Sequence, residues 1–228
     1  MVISNEEVLR YLGFRKSETG GERHEQKLER ARISALITEL SGELAEKAAP
    51  KNVYGIWDCK VNSPVVALEG MTVKSETLAR HLEGCRRVAL LAATLGPEAD
   101  TLIRRYSVQD MEKTVIAQAV CAAMIEAYCD ETENEIAKKY GMSFFGSSGL
   151  GRTARFSPGY GDFDLAHQKD IANLLNCDRR IGLTLTTAYM LIPSKSVTAL
   201  IGFTDGEKKP AGEKCDLCTE KKCEYRRT

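Results

Sequence analysis

The sequence has no net charge: Lys and Arg total 32, and Asp and Glu total 32. A protein that grips nucleic acid through its phosphates needs a positive excess, so nucleic acid is excluded as a bulk partner. No apolar run approaches the ~20 residues that span a bilayer, so no membrane span is expected. The opening stretch Met1-Val2-Ile3-Ser4-Asn5-Glu6-Glu7 lacks both a basic region and an apolar core, so a signal peptide is not expected either. Only three histidines are present, His24, His81 and His167, and they show no ligand spacing among themselves. No Ser/His/Asp or Cys/His arrangement stands out, so no residue is expected to act as a catalytic nucleophile.

What is present suits a folded protein. The sequence has 228 residues, 43% hydrophobic and 28% charged, enough for one large or two small domains with a buried core. Eight cysteines without a leader point to a reducing, cytoplasmic setting with thiols free or metal-bound. Five of them (Cys59, Cys85, Cys121, Cys129, Cys177) are scattered. The other three, Cys215, Cys218 and Cys223, crowd into the last fourteen residues.

Capping and periodicity predict the elements. Ser4 and Glu7 form a capping box before a short helix ended by Gly13. Residues 22–47 are rich in Glu, Ala, Leu, Lys and Arg and read as a long amphipathic helix, with Leu28, Ala31, Ile33, Leu36, Ile37 and Leu40 as its stripe. Residues 53–57 and 65–68 suit paired strands. Ser75 caps a helix, residues 87–94 read as a buried strand, and Pro97 opens another helix. Asp110 caps a long apolar-striped helix over 111–139. Asp164 begins a helix to Leu175, and β-rich runs at 181–186, 189–192 and 196–203 read as an antiparallel set. Helices and strands do not alternate strictly, which predicts an α+β fold: a twisted antiparallel sheet packed with long helices.

Gly146-Ser147-Ser148-Gly149-Leu150-Gly151-Arg152-Thr153 matches a phosphate-binding loop except for Arg in place of Lys. Such a loop works only when it leads into a helix, and Pro158-Gly159 follow too soon. Arg155-Phe156-Ser157-Pro158-Gly159-Tyr160 combines a guanidinium, a rigid turn and an aromatic ring. From spacing alone it is either a surface turn whose Arg155 pairs with a helix carboxylate, or a turn that presents its backbone to a flat ligand. In the second case Arg155 would grip an anion and Tyr160 would cover a ring or cation.

These six residues resemble the R-x-x-P-G-Y signature of the S-adenosylmethionine-binding activation domain of cobalamin (vitamin B12)-dependent methionine synthase. Ile125-Glu126-Ala127-Tyr128 is similar to the family's A-E-A-F stretch, and residues 189–199 resemble its apolar-Pro-x-x-Ser-Val-Ser segment. The resemblance runs from about residue 88 to residue 203. It implies an activation-domain-like fold in which 1–85 are an N-terminal helical and β portion, 86–205 the S-adenosylmethionine-binding core, and 206–228 a Cys-rich polar tail. It further implies that Glu126, Arg155, Ser157, Gly159 and Tyr160 bind S-adenosylmethionine. The expected role is a stand-alone reactivation component, a methyltransferase that works only with a partner. It would support reductive methylation of cob(II)alamin held by a methionine synthase subunit or another corrinoid protein. The electron would come from a flavodoxin-like or iron–sulfur donor.

Two features depart from the family. Residues 204–209 lack the aromatic that closes over the ligand, and the sequence adds the cysteine tail. Cys215, Cys218 and Cys223 form C-x-x-C-x-x-x-x-C, three candidate ligands for zinc or an iron–sulfur cluster where structural zinc needs four; the alternative is free reduced thiols. These departures keep two other readings open: a reactivator of a different corrinoid methyltransferase, or a non-catalytic metal- or redox-binding interaction module.

Overall fold

The computed structural model describes residues 3–14, 24–143 and 150–204. In sequence order its elements are α1 (Asn5–Tyr11), α2 (His24–Lys47), β1 (Lys51–Asn62), β2 (Val65–Leu68), β3 (Met71–Lys74), α3 (Glu76–His81), β4 (Cys85–Thr94), α4 (Pro97–Gln109) and α5 (Met111–Lys139). After these come β5 (Met142–Ser143), β6 (Leu150–Arg152), α6 (His167–Leu175), α7 (Cys177–Ile181), β7 (Thr184–Leu185), β8 (Leu191–Ile192) and β9 (Ser196–Thr204). Among the described residues no helix is long and apolar enough to cross a membrane.

The described strands build a sheet in the order β3-β2-β1-β4-β9-β6-β5, antiparallel throughout except for the short parallel pair β5–β6. The fold is therefore α+β, as the residue pattern predicts. Its centre is β4, which pairs with β1 over residues 87–94 on one side and with β9 over residues 85–94 on the other. Side chains alternate across a strand, and β4 is apolar in both phases because both sheet faces are covered. Val88, Leu90 and Ala92 pack with α3, α6 and α7, while Ala89, Leu91 and Ala93 face the long helices. The layer of α1, α2, α4 and α5 buries Leu9, Ile37, Leu40, Leu102, Val120 and Met124 together.

The caps act as their residue types dictate. The side chains of Ser4, Ser75 and Asp110 accept hydrogen bonds from the first turns of α1, α3 and α5. Four expectations need correction. In the stripe of α2, Ile33, Ile37 and Leu40 are buried as expected and Leu36 packs against the core, Leu44 joins them, and Leu28 and Ala31 are exposed. A third strand, β3, extends the β1–β2 pair. Helix α6 starts at His167, three residues after Asp164, whose carboxylate instead accepts from the Ala166 amide at 2.8 Å. The last strands do not form one set: β7 and β8 make a separate hairpin, and β9 is inserted between β4 and β6. Strand-like composition does not reveal which sheet a strand joins, since register is set by partners distant in sequence.

Candidate functional site

Helix α5 holds Glu126, Asp130 and Glu133, spaced so that they share one face. That face meets Arg155, which is 4% exposed. The Arg155 guanidinium donates at 2.8 Å to Glu126 Oε2, lies 2.8 Å from Asp130 Oδ1, and pairs with Glu133. Arg152 Nη1 approaches Glu133 Oε2 at 3.1 Å. Burial disfavours the charge on Arg155, but Glu133, Glu126 and Asp130 outweigh it and raise its pKa. Three carboxylates thus face two guanidiniums, leaving one negative charge in excess. Of the two readings of Arg155 from spacing, pairing with helix carboxylates is the one its guanidinium adopts. Arg155 also lines the pocket beside them.

Arg155 reaches this position because residues 150–156 run beside β9. The Thr153 amide donates to Gly202 O at 2.9 Å, and Phe156 exchanges both backbone hydrogen bonds with Leu200 at 2.9 and 2.8 Å. Residues 150–152 are strand with no helix following, so the phosphate-loop pattern has no helix N-terminus to offer; residues 146–149 lie outside the described residues.

The polypeptide then turns at Ser157-Pro158-Gly159-Tyr160. Gly159 has φ +95°, a conformation that favours glycine; its amide donates to Phe163 O at 2.7 Å. Asp162 ties the turn to the N-terminus of α3. Its carboxylate accepts from Ser75 Oγ at 2.6 Å, from the amides of Glu76 and Thr77 at 2.7 and 3.1 Å, and from the Thr77 hydroxyl. Those hydrogen bonds, led by Ser75 and Thr77, hold its carboxyl well below the usual carboxylate range. Behind the turn, Phe156 packs on His81 with ring centroids 4.7 Å apart, and His81 Nε2 lies 2.8 Å from Ala154 O. Burial lowers the His81 pKa and favours the neutral ring.

Where the turn leaves β9, a pocket of about 170 Å³ opens, room for on the order of ten waters. Four of the five expected binding residues, Glu126, Arg155, Ser157 and Tyr160, line it. Gly159 does not; it shapes the turn. The residues missed from sequence are Gln168 on α6, Leu191 on β8 and Ser196, Val197 and Thr198 on β9, along with the supporting Asp130, Glu133 and Arg152. One signal points to Gln168: it occupies the apolar stripe of α6 with Ile171, Ala172 and Leu175. Nearby, His167 pairs with Asp170 and stacks on Phe163 rather than entering the pocket lining.

The five body cysteines are buried. Burial, the largest cause, pushes the thiols of Cys121 and Cys177 up to about 12 and that of Cys59 up to about 11. Cys215, Cys218 and Cys223 lie outside the described residues, as do residues 205–209, where the resemblance implies a closing aromatic. Among the described residues, no group of three or more His, Cys, Asp or Glu side chains is placed to hold a metal ion.

A sequence model of the family described as "Vitamin B12 dependent methionine synthase, activation domain" matches residues 69–209. The crystal structure of the MetH reactivation domain bound to AdoHcy aligns with a TM-score of 0.63. The alignment covers 87% of this protein and 76% of that domain, at 15% identity, and shows a shared fold. A comparison with curated proteins returns no match.

Proposed function

Because the protein belongs to the family of vitamin B12-dependent methionine synthase activation domains, we propose that the pocket between α5, β9 and the Ser157–Tyr160 turn binds S-adenosylmethionine. We further propose that it presents this ligand to cobalamin held by a partner, a methionine synthase subunit or another corrinoid protein. The observation that carries the reading is that Glu126, the partly exposed carboxylate of the α5 cluster, lines the pocket with Arg155, Ser157 and Tyr160. The ligand offers a sulfonium and an ammonium, and a carboxylate in the pocket wall, whose neighbouring guanidinium is shared with Asp130 and Glu133, favours cations. The AdoHcy bound in the structurally similar MetH reactivation domain supports the same ligand class.

Each residue then has a physical task. Glu126, 28% exposed at its side chain, faces the ligand's cationic centre. Arg155 holds Glu126, Asp130 and Glu133 in fixed positions, so the cluster needs little reorganisation when ligand arrives. Ser157 and the turn offer backbone groups. Tyr160, half exposed, lays an aromatic face at the pocket rim where it covers a ring or cation. The ligand supplies the methyl group, and an electron from a flavodoxin-like or iron–sulfur donor completes a reductive methylation. The protein's own work is positioning and water exclusion.

Calorimetric titration with S-adenosylmethionine tests this. Wild type is expected to bind, and Glu126→Gln to bind about tenfold or more weakly, as loss of a charge-assisted contact predicts. Arg155→Ala is expected to abolish binding. No heat with wild type, even with a cobalamin protein present, overturns the reading.

A further inference from the structure

Two polar atoms in the pocket lining are buried with no hydrogen-bond partner among the described residues: Gln168 Oε1 and Thr198 Oγ1. Their residues are 9% and 2% exposed. Buried polar groups in native proteins are overwhelmingly paired, so each orphan calls for a reason. Here the two line one pocket, together with Glu126 and Arg155.

The backbone adds to the set. Leu200 exchanges its backbone N–H and C=O with Phe156, so these groups point away from β4. Hydrogen-bonding direction repeats every second residue along an antiparallel strand. Thr198 therefore also points its N–H and C=O to the outer edge of β9. The ladder on that edge ends at the Phe156–Leu200 bridge, because the polypeptide turns away at Ser157-Pro158. Past that point the edge faces the pocket. The pocket thus has two chemically different ends. Glu126 and its cluster are charged; Gln168 and Thr198 supply a carboxamide, a hydroxyl and a backbone donor–acceptor pair, all neutral.

We propose that Gln168 and Thr198 are the residues that hydrogen-bond the uncharged adenosine part of the ligand, while the Glu126 cluster takes its charged end. The assignment rests on the pocket's being an S-adenosylmethionine site. An adenosine moiety has the donors that the orphaned oxygens need: an exocyclic amine and ribose hydroxyls. The adenine edge that sets an amine beside a ring nitrogen also complements a backbone C=O beside an N–H.

The test uses the full-length protein and S-adenosylhomocysteine, which has the adenosine and no transferable methyl. Calorimetry compares wild type with Gln168→Met and Thr198→Val, which keep volume and remove the polar atoms. Each variant is expected to bind about tenfold or more weakly, since a ligand donor is left without its acceptor. The melting temperature of the free variants is expected to hold or rise, because an unpartnered buried polar group has been replaced by an apolar one. A lowered melting temperature means the atoms serve the fold and overturns the assignment. Binding within twofold of wild type in both variants also overturns it and leaves the ligand class standing. If wild type binds neither S-adenosylhomocysteine nor S-adenosylmethionine, the assignment and the ligand class fall together.

Discussion

Asp162 and Gly161 fix the position of the Ser157–Tyr160 turn. Gly161 has φ +56°, and a Cβ there would lie 2.5 Å from Thr77 Oγ1, one of the groups that hold Asp162. Gly161→Ala is expected to destabilise the fold by about 1–3 kcal/mol through left-handed strain and that clash, read as a lower urea midpoint at unchanged slope. Asp162 has a folded pKa below its unfolded one. Its contribution is therefore complete above the unfolded value of about 3.9 and is lost as pH falls below it. Asp162→Asn should flatten that acid limb in unfolding titrations while lowering stability at neutral pH. The buried thiols make a different prediction. With pKa values raised to about 11 to 12, Cys59, Cys121 and Cys177 should resist a thiol reagent at about pH 8 until the protein unfolds. Mass mapping of the modified residues checks this.

At the scale of elements, two contacts stand out because they join segments far apart in sequence. Glu43 on α2 accepts from Lys47 at 2.7 Å, from the Tyr106 hydroxyl, and from Arg105 of α4 at 2.6 Å. These hydrogen bonds, led by Lys47, lower its pKa to about 2. The contribution of Glu43 is therefore full above its unfolded pKa of about 4.3 and fades as pH falls toward about 2. Glu43→Gln should remove that part of the acid dependence, measured by urea midpoints across the window. Gly202 on β9 lets α3 and the 150–156 segment approach the sheet. A Cβ there would meet Cys85 Sγ at 2.6 Å and Leu82 Cδ2 at 2.7 Å. Gly202→Ala should cost about 1–3 kcal/mol by overpacking, seen in the same measurement.

For the whole molecule, β9 is the critical piece. It covers one side of β4 over its full length and also supplies one wall of the pocket. A protein truncated after residue 195 should show no cooperative unfolding transition by circular dichroism, because the apolar strand β4 would be left as an open edge. Net neutrality at this scale conceals the local charge cluster at α5, of which Glu126 and Arg155 line the pocket while Asp130, Glu133 and Arg152 stand behind them. The proposed binding therefore depends on the local cluster and not on a field from the whole surface.

The elements best legible in the sequence are those governed by near neighbours. Ser4, Ser75 and Asp110 act as caps because their oxygens reach amides two or three residues away. Likewise α5 is a helix because its apolar positions recur at helical spacing. The R-F-S-P-G-Y segment is legible as a turn for the same reason, since Pro158 and Gly159 set the backbone locally. Only the tertiary structure decided what meets that turn. Asp130 and Glu133 look like ordinary helix carboxylates until β9 brings residues 150–156 across to α5. Gln168 and Thr198 look like routine polar residues until both are buried in one pocket. Local torsions and capping act over a few residues, whereas strand register and burial depend on partners that meet only when the protein folds.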